Sequence, residues 1–180
     1  MGRFEGKVAF VTGAARGQGR SHAVGFAREG TDVIALDICT PVKSVHYSMA
    51  TSDDLAETVR QVEALDLRIV ARQADVRDGA ALKSALDEGV ATLGRLDVVC
   101  ANAGSLSLSP AETMSDDQWD DVLAINLGQP RRRIQDGARG DPVPARQRQW
   151  RRDHHYQLRC RGGIDAQQRA LRRVKARRGA

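Results

Sequence analysis

Residues 8–19 read Val-Ala-Phe-Val-Thr-Gly-Ala-Ala-Arg-Gly-Gln-Gly, an apolar run that passes into a glycine-rich segment. This pattern predicts a buried strand, a tight turn and then a helix. Its glycines, Gly13, Gly17 and Gly19, lie where a backbone has to pass close to a pyrophosphate. Backbone amides at the start of the helix would face that anion, and the helix dipole would favour its charge. A glycine pattern by itself is weak, but here Asp37 ends the next predicted strand.

Apolar runs and helical patterns alternate up to residue 127. The predicted strands are residues 7–12, 32–37, 68–74 and 96–101, and the predicted helix caps are Gly30, Ser52, Asp78 and Ser115. Helical spacing gives the predicted inward faces as Gly19, Ala23 and Phe26; Leu55, Val59 and Val62; Leu82, Leu86, Val90 and Leu93; and Trp119, Val122, Leu123 and Asn126. Strands that alternate with helices favour a parallel sheet covered on both faces. We therefore expect a doubly wound, Rossmann-type α/β fold, truncated after about four strands.

The composition of the chain changes near residue 127. Residues 1–127 hold 12 Lys and Arg against 19 Asp and Glu, whereas residues 128–180 hold 16 against 4. The second segment has six Val, Ile, Leu, Met and Phe among its 53 residues, too few for a packed core. We predict a dinucleotide-binding half domain at residues 1–127 and an Arg-rich tail of low order at residues 128–180.

Composition also excludes several classes of site. Cys39, Cys100 and Cys160 lie far apart, so neither a disulfide framework nor a metal site is predicted from them. His154 and His155 have no partner ligands at a suitable spacing. The sequence shows no secretion signal and no apolar run of membrane-spanning length, so the expected location is the cytoplasm.

Two charged residues bear on which dinucleotide would bind. Asp37, with Ile38 after it, is placed to accept hydrogen bonds from the adenosine ribose and to repel a 2′-phosphate, which favours NAD over NADP. Arg16 is the counter-argument, because a guanidinium beside Gln18 in the glycine turn could pair with that phosphate. We give Asp37 more weight and predict NAD as the cofactor. The loop at residues 38–52 is long for such a connection, which indicates a function.

Residues after the third and fourth strands complete the predicted crevice. Asp75 could accept from the adenine amino group, with Val76 against the ring, although an ordinary loop aspartate fits equally well. Asn102, Ala103 and Gly104 follow the fourth strand, where small residues let the backbone approach a ligand at the carboxyl edge of the sheet. A plain turn is the alternative for this tripeptide.

Together these motifs resemble the short-chain dehydrogenase/reductase family over residues 7–127. Residues 12–19 match its glycine motif, Asp75 its adenine-side acid, and residues 102–104 the signature after its fourth strand. The resemblance implies an oxidoreductase that passes hydride between NAD and a secondary alcohol or ketone.

A narrower similarity links the chain to one branch of that family. Residues 13–22, residues 35–39 and the long loop before Asp53 are similar to the mycofactocin-associated branch, which includes carveol-dehydrogenase-like enzymes. This similarity implies that the loop after the second strand covers a tightly held NAD.

The family resemblance also implies four catalytic groups: an Asn, a Ser, a Tyr and a Lys four residues after the Tyr. Asn126 matches the first position. No Ser follows Ser115, and Tyr156, the sole tyrosine after Tyr47, has Cys160 where the Lys is needed. The family Ser, Tyr and Lys are therefore absent. We predict weak or absent NAD binding and no turnover for the chain as written.

The abrupt change after Leu127 favours a shifted reading frame as the origin of the tail, which lacks Ser and Thr and is rich in Arg, Gly, Gln, Ala and Pro. Family dimers mostly use elements beyond Leu127, so the homo-oligomer that the resemblance implies would lack its interface. Two other functions stay open. One is a non-catalytic protein that binds NAD or pairs with intact relatives. The other, which we consider weaker, is nucleic-acid binding by the tail, where only Trp150 and Tyr156 offer aromatic stacking.

Overall fold

Residues 2–128 of the chain are described by a computed structural model. Four parallel strands form one sheet: β1 (Val8–Thr12), β2 (Asp32–Asp37), β3 (Ile69–Gln73) and β4 (Val98–Cys100). Their order is β3-β2-β1-β4. β2 and β3 are therefore added on one side of β1, and β4 is added on the other side. The point where the direction reverses lies between β1 and β4. In sheets of this kind, ligands bind outside the carboxyl ends of the strands at that point.

Helices connect and follow the strands as predicted: α1 (Gly17–Arg28), α2 (Ser52–Glu63), α3 (Gly79–Leu93) and α4 (Asp116–Leu123), the last continued by a π-helical turn at Ala124–Gly128. The doubly wound α/β architecture is thereby confirmed for this part of the chain. Among residues 2–128, no helix is long and apolar enough to cross a membrane.

The core lies in two layers, one on each face of the sheet. Successive side chains of a strand point to opposite faces, so Ile34 and Leu36 of β2 pack with α3, and Val33 packs with α1 and α2. β1 and β2 are buried along almost their whole length, as expected for strands covered on both sides. This burial at the centre of the sheet makes the carboxyl ends of β1 and β2 a rigid base for the site.

The two outer strands are less buried than predicted. β3 changes from half-buried to exposed along its length, and Val99 in β4 is 39% exposed. Within residues 2–128, β4 pairs with β1 only, so it forms one edge of the sheet in this part of the chain. An apolar strand at the edge of a sheet favours aggregation.

Two details of the helices differ from the predictions. The N-cap of α2 is Thr51 rather than Ser52, because Thr51 and Asp54 form a reciprocal capping box. Trp119 does not face inward: its side chain is 58% exposed, whereas Gln118 and Ile125 are buried. The inward face of this segment therefore begins one residue earlier than predicted, because polar contacts of Gln118 fix the rotation of the helix.

Candidate functional site

A cavity of about 250 Å³ opens at the carboxyl ends of the strands. Its lining contains every residue that the sequence analysis assigned to the cofactor: Gly13, Arg16, Gly17, Gln18, Gly19, Asp37, Ile38, Asp75, Val76, Asn102, Ala103 and Gly104. A larger depression of about 560 Å³ is lined by α3 residues only, such as Lys83 and Asp87, and no strand end contributes to it. The cavity at the strand ends is therefore the candidate site.

The glycine turn brings two stretches of backbone into unusually close contact. Gly13 and Gly17 have positive φ values of 67° and 55°, which favour glycine. A Cβ atom at Gly19 would lie 1.8 Å from the Gly13 carbonyl oxygen and 2.8 Å from the Asn102 side-chain nitrogen. The turn can thus close only if these positions carry no side chain.

The N-terminus of α1 differs from those of the other three helices in residues 2–128. Side chains of Thr51, Asp78 and Ser115 cap α2, α3 and α4, whereas Arg16 at the N-cap of α1 makes no side-chain cap hydrogen bond. The first turn of α1 also contains no acidic residue. Since the amides of a helix's first turn lack partners within the helix, this end is suited to an anionic ligand.

Asp37 is held in place beneath the cavity and is only 7% exposed. Its Oδ2 accepts from the Ala15 amide at 2.9 Å, and its Oδ1 accepts from the Cys39 amide at 3.1 Å. Cys39 adopts a positive φ of 48° there. Each carboxylate oxygen keeps a further lone pair for a ligand donor.

Thr12 links the end of β1 to the segment that follows β4, a role that the sequence analysis missed. Its hydroxyl accepts from the Asn102 and Ala103 amides, both at 3.1 Å. In return, the Asn102 side chain donates to the carbonyls of Thr12 at 3.0 Å and Gly13 at 3.3 Å. Residues 102–104 are thus tied to the glycine turn. The sequence feature that could have indicated this role is the threonine directly before the first glycine of the turn.

Thr12→Val is expected to lower the free energy of unfolding by about 2 kcal/mol, because two partly buried backbone amides would lose their acceptor. Denaturant unfolding of both proteins measures the change. Thr31→Val is the matched control, since Thr31 is equally buried but its hydroxyl only donates one hydrogen bond of 3.3 Å, to the Phe4 carbonyl, in the described part of the chain. Equal losses for the two variants would contradict a special role for Thr12.

Two further side chains, one on α2 and one on α1, hold the glycine turn. The Thr58 hydroxyl lies 2.9 Å from the Ala14 carbonyl oxygen, and Arg20 donates to the Ala15 carbonyl at 3.0 Å. Arg20 also donates to the backbone carbonyl of Asp54 at 2.7 Å. The sequence analysis missed both residues, since Thr58 and Arg20 carry no motif.

Asp75 lines the cavity but is already engaged by Arg77. Its carboxylate accepts from the Arg77 backbone amide at 2.8 Å and from the guanidinium at 2.6 and 2.8 Å. Burial acts to raise the pKa of Asp75, but these hydrogen bonds outweigh it and hold the pKa below its ordinary value. Since the folded protein binds this proton less readily, the pair stabilises the fold above about pH 4 and that stabilisation is lost in stronger acid.

Residues 38–51 join β2 to α2 and form one wall of the cavity; we call them the covering loop. Val42, Tyr47, Met49 and Ala50 contribute to the lining. Arg16 donates to the Ser48 carbonyl of this loop. One donor of the guanidinium that could have paired with a 2′-phosphate is thus used within the protein.

The Cys39 thiol at the start of the covering loop is not activated. Burial raises the pKa of Cys39 to about 11, and the charges of Asp37 and Asp54 add to the shift. The thiol therefore stays protonated at neutral pH and is a poor nucleophile.

Asn126 is exposed rather than inward-facing, and it binds the segment after β4. Its Oδ1 accepts from the Ser105 amide at 2.9 Å, and its Nδ2 donates to the Ser105 carbonyl at 2.8 Å. The prediction that it points inward with Trp119 and Leu123 is therefore wrong, because the helix is rotated. Ser105 also lines the cavity, where its buried hydroxyl has no hydrogen-bond partner in the described part of the chain.

Several predictions lie outside the described residues. They concern the tail at residues 129–180, including Trp150, Tyr156 and Cys160 and the pair His154–His155. Across residues 2–128, no group of three or more His, Cys, Asp and Glu side chains could hold a metal ion.

A doubly wound parallel sheet with a glycine turn at its reversal point defines an α/β protein of the Rossmann type. Residues 7–130 match the short chain dehydrogenase family. An uncharacterized NAD-dependent oxidoreductase of Mycobacterium tuberculosis (strain H37Rv) is 55% identical over 127 residues, which is 70% of this chain and 46% of the relative. The (−)-trans-carveol dehydrogenase of Rhodococcus erythropolis is 46% identical over 128 residues, covering 71% and 46%.

A solved structure agrees with these sequence matches. Carveol dehydrogenase from Mycobacterium avium, crystallised in complex with NAD, has a TM-score of 0.69 and 55% identity, covering 71% of this chain and 46% of that one. The chain therefore belongs to the short-chain dehydrogenase family, and the predicted similarity to carveol-dehydrogenase-like proteins is confirmed. It spans just under half the length of the curated relatives it matches.

Proposed function

We propose that residues 7–127 are the NAD-binding half of an oxidoreductase acting on a secondary alcohol or ketone. The observation that carries the proposal is that the uncapped N-terminus of α1 and the buried Asp37 line one cavity at the reversal point of the sheet. The M. avium neighbour is a carveol dehydrogenase in complex with NAD, which supports the choice of cofactor.

The residues of the cavity fit the parts of the dinucleotide in order. The first turn of α1, at residues 17–19, would hold the diphosphate, and Asp37 would accept from the ribose hydroxyls. Asp75 and Val76 would face the adenine. The Ser105 hydroxyl, which has no hydrogen-bond partner among residues 2–128, offers a donor or acceptor at the end of the cavity formed by residues 102–105. When bound, NAD accepts or gives the hydride, while the protein binds, orients and excludes water.

The substrate class rests on the relatives. One is a (−)-trans-carveol dehydrogenase and another, 38% identical over 126 residues, is a cyclohexanol dehydrogenase of Rhodococcus. Both names point to ring-bearing secondary alcohols, and we propose the same substrate class for the oxidoreductase to which this NAD-binding half belongs.

A non-catalytic dinucleotide-binding protein is the second candidate. It is favoured by the combination of a cavity lined by the predicted cofactor residues with a sequence that lacks the family Ser and Tyr-x-x-x-Lys. In this alternative the chain would bind NAD without transferring hydride.

Binding of NAD and NADP to the full 180-residue chain tests the proposed site. We expect weak binding, detected by saturation-transfer NMR, with NAD bound about tenfold more tightly than NADP because the Asp37 charge repels the 2′-phosphate. Asp37→Asn is expected to weaken NAD binding and to bring the two affinities within about threefold.

Asp53→Asn is the matched control, since Asp53 is an exposed acid in the first turn of α2. It should keep the preference of the unmodified chain. Equal affinities for NAD and NADP in the unmodified chain would contradict the role of Asp37. Binding of neither dinucleotide would contradict the proposed function.

A further inference from the structure

Asp121 on α4 joins two segments that are distant in sequence. Its Oδ2 accepts from the Ser44 hydroxyl of the covering loop at 2.5 Å, and its Oδ1 accepts from the Arg77 guanidinium at 2.5 Å. Arg77 in turn holds Asp75 beside the cavity. A continuous chain of hydrogen bonds thus runs from the covering loop through α4 to Asp75.

The Ser44 end of this chain is tightly packed. Ser44 is only 5% exposed, and its hydroxyl points to α4 while its neighbours Val42 and Tyr47 line the cavity. Ser44 therefore sits on the outer side of the wall that the covering loop contributes. Any movement of Ser44 away from α4 would displace that wall.

The hydrogen bonds of Asp121 involve charged groups, so we expect them to hold the covering loop more strongly than the hydrogen bonds of its neutral neighbours. Arg77 lies between the carboxylates of Asp75 and Asp121, with side chains about one quarter to one third exposed. Hydrogen bonds to ionised groups in such partly buried settings are about twice as strong as neutral ones. Asp121 uses both oxygens, so no neutral side chain of the same shape offers the same two acceptors.

Hydrogen bonds between uncharged groups hold the same part of the covering loop. The Gln118 side chain lies 3.1 Å from the His46 ring and donates to the Ser107 hydroxyl at 3.1 Å. The Tyr47 hydroxyl accepts from the Leu106 amide at 3.4 Å. These longer contacts orient the loop against α4 and the segment after β4, and they leave Asp121 as the ionised anchor.

We propose that Asp121 is a positioning residue that, through Ser44 and Arg77, holds the covering loop closed over the cavity and slows the escape of the bound dinucleotide. The retention of a dinucleotide rests on the proposed function, whereas the anchoring of the loop does not require a ligand. Asp121 acts from α4 and does not line the cavity itself.

Hydrogen exchange in the ligand-free, full-length chain tests the anchoring. The Val45 amide donates to the Val42 carbonyl at 2.9 Å within the covering loop, so its exchange reports on loop opening. Asp121→Asn and Ser44→Ala are each expected to speed this exchange about tenfold, the change in equilibrium that loss of one charge-assisted hydrogen bond produces.

Two controls separate anchoring from general damage. Asp120→Asn makes the same charge change one residue earlier on α4, where the side chain is exposed, and should leave Val45 unchanged. The Val33 amide, which donates to the Arg68 carbonyl at 2.9 Å at the start of β2, should exchange at its original rate in all variants. Unchanged exchange at Val45, or an equal rise at Val33, would overturn the proposal.

Dinucleotide binding provides the second measurement. The Kd for NAD, measured by saturation-transfer NMR, is expected to rise about tenfold in Asp121→Asn and to stay constant in Asp120→Asn. If the unmodified chain binds NAD and Asp121→Asn binds it equally well, the retention role is wrong while the proposed function stands. If the unmodified chain binds no dinucleotide, the proposed function and the retention role both fall, and Val45 exchange still decides the anchoring.

Discussion

The 180-residue chain is expected to form no NADH when it is supplied with NAD and a secondary alcohol such as cyclohexanol. The family resemblance implies that a Tyr loses its proton with the help of a Lys four residues later. Here Cys160 stands at that distance from Tyr156. A phenol with a pKa of about 10 is neutral at pH 7 and a poor base without that cation. The expected rate lies at least about 10³-fold below that of a full-length relative.

Absorbance at the NADH wavelength, with the R. erythropolis carveol dehydrogenase assayed alongside, measures this difference. Cys160→Lys restores the Tyr-x-x-x-Lys spacing and is also expected to be inactive, because no Ser follows Ser115. NADH formation by the unmodified chain that depends on the alcohol would contradict the prediction. Activity gained by Cys160→Lys alone would show that the lysine was the missing group.

The DNA of the same gene provides an independent check on the origin of the tail. If a shifted frame produced residues 128–180, another frame read from codons 127–129 onward should encode a Ser, a Tyr-x-x-x-Lys pair and two further strands. If neither alternative frame encodes any of these features, the frame-shift hypothesis is contradicted.

Gly19→Ala is expected to lower the free energy of unfolding by about 3 kcal/mol, the upper part of the range for overpacking a well-packed region. The added Cβ would lie 1.8 Å from the Gly13 carbonyl oxygen, which is backbone and cannot rotate away. The glycine turn would have to open, so the first turn of α1 would move relative to Asn102. We therefore also expect any measurable NAD binding to be lost.

Gly25→Ala is the matched control because it makes the same chemical change on the same helix. Gly25 is exposed, and a Cβ there would meet no atom within 4 Å. Alanine in a helix interior is favoured over glycine by about 0.5–1 kcal/mol, so this variant should be slightly more stable. Denaturant unfolding of both variants measures the contrast. A Gly19→Ala protein as stable as Gly25→Ala would contradict the close approach seen in the turn.

Much of the cavity could be predicted because its residues sit at ends of strands. Asp37, Asp75 and Asn102 each follow an apolar run, and the carboxyl ends of parallel strands meet at one edge of a sheet. The rotation of α4 about its axis could not be predicted from the spacing of its apolar residues. Trp119 looked like a core residue by spacing, but Gln118 takes the buried position because its side chain closes a capping box and contacts the covering loop.

The sequence by itself determined the alternation of strands and helices, the glycine turn and the acids at the strand ends, since these follow from local periodicity and from the conformational freedom of glycine. It also determined the change of composition after Leu127. Only the tertiary structure decided that Thr12 binds the amides of residues 102 and 103, and that Ser44, Arg77 and Asp121 meet. These contacts join residues 44 to 91 positions apart. No local pattern encodes such pairs, because they depend on how the helices pack against the sheet.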